Sequence, residues 1–203
     1  MNIKQRRFWS KMSEFNVNVE VSARHVHLSQ EDIEKLFGKG YELKVKKDIA
    51  GGFVAEERVT LTGPKRTLER VAILGPARKE TQIELASTDA RNLGVNPPIR
   101  LSGHLEGTPG IKITAENGNS VEPDHGCIIA QRHLHLSPAT AEKYGVTGDK
   151  PVKISIDTGM NRSLVFCDVA VRVGGDSDVV HLDTDEGNAA CTGKSCTGIC
   201  IAE

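Results

Sequence analysis

His25-Val26-His27 and His133-Leu134-His135 each set two imidazoles two residues apart. On a strand, residues i and i+2 face the same side, so each pair aims its ring nitrogens in one direction. Two neutral imidazoles on one face are half of a transition-metal site. The surroundings repeat as well: Val21-Ser22-Ala23-Arg24-His25-Val26-His27-Leu28-Ser29 returns as Ile129-Ala130-Gln131-Arg132-His133-Leu134-His135-Leu136-Ser137. One copy alone is explained equally well by a surface accident or a hydrogen-bonded strand. Two copies, with the same Arg before and the same Leu-Ser after, favour metal.

A third ligand follows from the same repeat. Val71-Ala72-Ile73 through Ile83-Glu84-Leu85 parallels Val169-Ala170-Val171 through Val180-His181-Leu182 with one residue of slippage, which makes Glu84 and His181 equivalent. The expected sets are His25/His27/Glu84 and His133/His135/His181. Three protein ligands leave a position open, the pattern of catalytic rather than structural zinc. Zinc suits the donors best, and Co, Ni, Mn or Fe(II) also fit them. The first set has the composition of a non-haem iron triad, and His25-x-His27-x3-Glu31 overlaps a cupin motif. Glu31, however, follows the expected N-cap Ser29, where acidic residues serve the helix dipole, and the second copy has no Glu there.

Arg78, six residues before Glu84, is a candidate fork for a phosphate or carboxylate. Arg24 and Arg132 alternate out of the metal-facing set. His104 and His125 have no partner at ligand spacing and read as loop histidines. Cys191, Cys196 and Cys200 lack the paired C-x-x-C spacing of a zinc ribbon.

The elements that carry these residues are short and rich in Val and Ile. Segments such as Arg58-Val59-Thr60-Leu61-Thr62 and Pro151-Val152-Lys153-Ile154-Ser155-Ile156 alternate, and Gly51-Gly52, Gly63-Pro64, Asn117-Gly118 and Gly174-Gly175 punctuate them. Strands at that spacing indicate a β-sandwich or barrel. Helix is expected after each His-x-His strand: Ser29 reads as an N-cap with a stop at Gly38, and Ser137-Pro138 opens a segment that stops at Gly145. The chain is therefore read as two related half-chains of a size at which small barrels fold.

Composition narrows the function. Twenty-six basic side chains against 27 acidic leave a net charge of −1, no electrostatic footprint for nucleic acid. No run approaches a membrane span, the N-terminus lacks the apolar core of a signal peptide, and five cysteines make a poor disulfide framework. A cytoplasmic location is expected.

Ser22-Ala23-Arg24-His25-Val26-His27-Leu28, Gln131-Arg132-His133-Leu134-His135-Leu136-Ser137-Pro138 and His181-Leu182-Asp183-Thr184-Asp185-Glu186-Gly187-Asn188-Ala189 together resemble the signatures of the phosphate propanoyltransferases, the PduL-type phosphotransacylases. The resemblance runs from about residue 17 to 192. It implies a mainly β fold of two related small β-barrel domains from an internal duplication, each with a short helix after its His-x-His strand. The expected limits are 17–115 for the first domain and 116–203 for the second, after an extension over 1–16. It also implies two Zn2+ per chain, as a dinuclear site held by the two sets above, and reversible transfer of an acyl group between coenzyme A and inorganic phosphate. By this resemblance Arg78 binds phosphate, and Ser22, Lys47 and Asn188 line the CoA pocket. A homodimer or higher homo-oligomer is implied too. Ile3, Phe8, Met12 and Phe15 fall on one helical side opposite basic residues, and in some family members such an N-terminus directs the enzyme to the shell or cargo of a bacterial microcompartment. Direct attack of phosphate on the thioester is expected, since no Ser/His/Asp or Cys/His set is evident. The alternatives are a duplicated metal-binding module and a cupin-like metalloenzyme.

Overall fold

The structure, a computed structural model, describes residues 12–49 and 51–202. In chain order the first half contains β1 (Ser13–Val21), β2 (His25–His27), α1 (Gln30–Phe37), β3 (Val45–Ile49), β4 (Gly52–Thr62), β5 (Thr67–Gly75), β6 (Gln82–Leu85), α2 (Ser87–Leu93), β7 (Ile99–Arg100), β8 (Lys112–Ala115) and β9 (Ser120–Val121). The second half contains β10 (Cys127–Ala130), β11 (His133–Leu136), α3 (Pro138–Tyr144), β12 (Val152–Ile156), β13 (Leu164–Val173), β14 (Val179–Leu182), α4 (Thr184–Ala190) and β15 (Ser195–Ala202). Strand outweighs helix, and the helices expected after the two His-x-His strands are α1 and α3. Ser29 Oγ accepts from Asp32 N and Ser137 Oγ from Thr140 N, as N-caps do.

The residues group into two compact units. One holds those up to Glu20, 133–181 and from Ala189 onward; the other holds 21–132 and 182–188. The first is a closed six-stranded barrel in the order β1-β14-β11-β13-β12-β15. Alternation builds its interior: Phe15, Val17 and Val19 of β1 point inward with Leu134, Leu136, Val152, Ile154, Val169 and Val171, while Glu14, Asn16 and Asn18 are exposed. The other unit is a curled nine-stranded sheet in the order β7-β10-β6-β2-β5-β4-β8-β9, with β3 on β4. Its core includes Val26, Leu28, Ile33, Leu36, Leu61, Ile73, Ile83 and Ile113.

Two barrels were expected, and the structure has one. The nine-stranded sheet ends on β7 and β9, each two residues long and unable to offer the other a ladder, so it stays open. The duplication is nevertheless plain in the pairing. Strand β2 lies parallel to β5 and antiparallel to β6, as β11 lies parallel to β13 and antiparallel to β14. Even the irregularities repeat: Arg70 on β5 and its counterpart Asp168 on β13 both have left-handed φ, 55° and 56°.

What the repeat does not keep is the home of its first strand. Strand β1 precedes β2 in the chain but sits in the barrel against β14 and β15, whereas β10 precedes β11 but pairs with β6 and β7 in the open sheet. The two halves have exchanged their leading strands. Gly126 permits the close approach of β10, since a Cβ there would stand 2.4 Å from Thr81 O and the residue has φ 116°. Residues 1–11 of the expected N-terminal extension lie outside the described residues. The helical side read through to Phe15 does not reach it: Phe15 is on β1, buried, and stacked on Tyr144 with ring centroids 4.3 Å apart.

Candidate metal centres

Strand pairing assembles both triads. In the sheet unit His25 stands opposite Glu84 and His27 opposite Gln82; in the barrel His133 stands opposite His181. The ring nitrogens converge. His25 Nε2 lies 3.2 Å from His27 Nε2, and Glu84 brings Oε2 to 3.5 Å from His25 Nε2 and Oε1 to 3.7 Å from His27 Nε2. His133 Nε2 lies 3.1 Å from His135 Nε2, with the His181 ring 5.3 and 5.2 Å from the other two by centroids. Four ligands at zinc–nitrogen distances on a tetrahedron are separated by about 3.3 Å. The donors already have that spacing.

The hydrogen bonds behind the first triad fix which nitrogen is free. His25 Nδ1 is 2.9 Å from Ala23 O and His27 Nδ1 is 3.1 Å from Leu74 O. A carbonyl oxygen only accepts, so both Nδ1 atoms carry hydrogen and, in the neutral rings, both Nε2 atoms present lone pairs to each other. Two lone pairs at 3.2 Å repel unless a proton or a cation lies between them. His25, His27 and Glu84 are all buried, whereas the rings of the second triad are partly exposed. Glu20 brings a carboxylate oxygen to 3.8 Å from His181 Nε2.

Electrostatics follow from these contacts. Burial opposes charge on His25 and Glu84, yet their mutual hydrogen bond and attraction outweigh it, so His25 lies above its ordinary value and Glu84 well below. Burial carries His27 downward, and the Arg78 guanidinium disfavours protonation of both imidazoles. In the second triad His135 is lowered by burial and by Arg172 of β13, its parallel neighbour. The donor set, two or three imidazoles with a carboxylate and a gap between them, fits zinc.

The structure brings the six expected donors together in two triads. Arg78 N donates to Leu28 O, directly after the first His-x-His strand, and its NH1 donates to Ser102 Oγ at 2.7 Å. Ser22, whose N–H donates to Leu182 O, and Lys47, exposed on β3, have no hydrogen bond to either triad; Asn188 lies on α4. Arg24 and Arg132 do turn away from the ligands. Arg24 pairs with Asp89 at 3.2 Å and Arg132 with Glu186 at 2.6 Å, and the repeat makes the two acids equivalent. Glu31 belongs to the first turn of α1, exposed and paired with Lys35. His125 sits in a surface loop between Asp124 and Glu80.

Gln82 and Ser102 were missed. Gln82 is buried, donates from Nε2 to Glu84 Oε1 at 2.5 Å and to Ser102 Oγ at 2.8 Å, and accepts from Gly103 N at 2.8 Å. Its place two residues before Glu84, on the same strand face, was the available signal; nothing in the sequence pointed to Ser102.

A sequence profile of the phosphate propanoyltransferases matches residues 18–193. The chain is 52% identical over 175 residues to a phosphate propanoyltransferase of Thermotoga maritima, covering 85% of this chain and 82% of that one. It is 47% identical over 193 residues to that of Lachnoclostridium phytofermentans (94% and 89% covered) and 44% over 188 residues to that of Listeria monocytogenes (91% and 87%).

Proposed function

Because the chain belongs to the phosphate propanoyltransferase family, we propose that it moves a short acyl group, propanoyl or acetyl, reversibly between coenzyme A and inorganic phosphate, with a zinc ion in each donor triad. It is an acyltransferase, with acyl-CoA and phosphate as partners on one side and CoA and acyl phosphate on the other. The observation that carries the reading is the placing of a guanidinium, Arg78, beside the buried His25/His27/Glu84 triad: its backbone N–H donates to Leu28 O, one residue past His27, and its NH1 donates to Ser102 Oγ, which also accepts from Gln82, the donor to Glu84.

Arg78 holds the phosphate dianion through its fork and turns one oxygen toward the thioester carbonyl, which removes the entropic barrier of a bimolecular encounter. That oxygen attacks the carbonyl carbon, the C–S bond breaks, and the electron pair leaves with sulfur as CoA thiolate. His25, His27 and Glu84 keep their donor atoms fixed through the strand register and the Nδ1 hydrogen bonds. When bound, zinc supplies Lewis acidity for the carbonyl and a soft-ligand position for thiolate. Ser22, Lys47 and Asn188 line the CoA pocket in this reading, Lys47 offering an exposed ammonium to the phosphates of CoA.

The test follows thiol release from propanoyl-CoA by purified protein, with and without phosphate, alongside zinc content. Phosphate-dependent release with two zincs per chain is expected. Release without phosphate would make the protein a hydrolase, and no release from zinc-loaded protein would make it a binding module. Arg78→Ala should abolish the phosphate dependence and leave the zinc content unchanged; wild-type turnover in that variant would remove Arg78 from the chemistry.

A further inference from the structure

The two triads differ in one respect that the duplication exposes. In the first the third ligand is Glu84 with Gln82 two residues before it; in the second it is His181 with Val179 two residues before it. A buried amide accompanies the carboxylate and is replaced by an apolar side chain where the ligand is an imidazole. A carboxylate can rotate and offer either oxygen, so it needs a donor to fix it; an imidazole with its Nδ1 hydrogen-bonded does not.

Gln82 supplies that donor and does more. All three of its polar groups are used: one N–H on Glu84 Oε1, the other on Ser102 Oγ, and the carbonyl oxygen on Gly103 N. Ser102 Oγ in turn accepts from Arg78 NH1. The chain Glu84–Gln82–Ser102–Arg78 joins a ligand of the first triad to the guanidinium through one buried amide and one hydroxyl. We propose that Gln82 is a positioning residue with two linked tasks: it turns Glu84 Oε2 toward His25, and through Ser102 it sets Arg78 at a fixed distance from the triad. This rests on the acyl-transfer reading for the role of Arg78, and on the triad alone for the role of Glu84.

Gln82→Met, which keeps length and volume but removes the amide, separates the tasks together with Ser102→Ala. Zinc affinity is read by competition with a chromophoric chelator, and KM for phosphate and for propanoyl-CoA are measured separately. In Gln82→Met one of the two zinc equivalents should weaken about 10–100-fold, the scale of a lost ligand-orienting partner. Its KM for phosphate should rise about tenfold, with KM for propanoyl-CoA within about twofold of wild type. In Ser102→Ala the phosphate KM should rise in the same way while both zincs bind as in wild type. Unchanged zinc affinity and phosphate KM in Gln82→Met would overturn the proposal, as would an equal rise in both KM values. If Gln82→Met loses its near-ultraviolet circular dichroism, Ser102→Ala decides: an unchanged phosphate KM there overturns the link to Arg78. Wild-type protein that binds zinc but shows no phosphate-dependent turnover would strike the acyl-transfer reading, while the zinc comparison still tests Gln82.

Discussion

Glu84→Gln preserves the size of a first-triad ligand and removes its charge. With Glu84 Oε2 3.5 Å from His25 Nε2, the charged pair attracts by about 5 kcal/mol at an effective dielectric near 20. Desolvation of two buried groups offsets much of this, and the balance still leaves His25 above its ordinary value. In the variant that attraction is gone and burial, the largest cause, is opposed by the hydrogen bond to Ala23 O alone, so His25 moves downward from its wild-type position. Wild-type protein without metal therefore holds a proton at this triad to higher pH than the variant does, and zinc must displace it there. At the same pH, zinc binding to the first triad should release more protons in wild type than in Glu84→Gln. For the same reason wild-type affinity should rise with pH as His25 deprotonates, and in the variant that rise should move to lower pH. The amide is also a poor ligand in either orientation. With its NH2 toward the imidazoles it has no lone pair to give, and reversed it sets NH2 against the Gln82 Nε2 that now lies 2.5 Å from Oε1. Loss of the triad's anion should thus exceed the effect of losing an orienting partner, and weaken one zinc equivalent by more than about 100-fold. Calorimetric titration with zinc in two buffers of different ionisation heat gives affinity and proton count together. A variant within about threefold of wild-type affinity, releasing the same number of protons, would refute the reasoning.

Among the described residues Arg24 is the one hydrogen-bond partner of the buried Asp89 carboxylate, whose Oδ2 has none there; since Arg24 is itself partly exposed, Arg24→Ala is expected to cost about 1–3 kcal/mol. Asp89→Asn, which leaves no buried charge behind, should lose less, and urea midpoints that ranked the two the other way would contradict this. Asp183, pushed up to about 6 by burial, binds a proton more readily folded than unfolded, so its contribution to wild-type stability is complete at acid pH and is lost as pH rises through that value. Asp183→Asn keeps the acceptor for Glu186 N and should melt with wild type near pH 4 but higher at pH 7.5; parallel melting curves at both pH values would count against it. Truncation through residue 11 leaves β1 whole, whereas truncation through residue 16 removes buried Phe15 and the pairings of Ser13, Glu14, Phe15 and Asn16 with β15. Thermal melts should place the second at least about 5 °C below the first.

The six donors were legible because each rests on a local rule. Two-residue spacing on a strand puts His25 with His27 and His133 with His135, and the repeat carries Glu84 onto His181, which the registers His25–Glu84 and His133–His181 match. Caps at Ser29 and Ser137 were legible for the same reason. Gln82 was within reach, as the same-face neighbour of Glu84, but Ser102 lies twenty residues on in a loop and meets it only through the fold. The second barrel was wrongly expected because closure is not local: it depends on which strand lies beside β6 or β14, and β1 finds β15 across nearly the whole chain. No period or turn signal near residue 17 says which sheet that strand will join.

The exchange of leading strands makes the two halves mutually dependent. Cut between 115 and 116, the first fragment would retain β1 without β14 and β15, and the second would retain β10 without β6 and β7. Neither piece is a self-sufficient folding module; each carries a strand that belongs to the other. An ancestral single half with this connectivity could complete its sheet only by borrowing a strand from a second copy, as a swapped homodimer. Fusing two such copies into one chain converts that association from bimolecular to intramolecular, at an effective concentration that no longer depends on protein abundance. It also frees the two copies to diverge, and the carboxylate with its amide in one half and the imidazole with its valine in the other are the marks of that divergence.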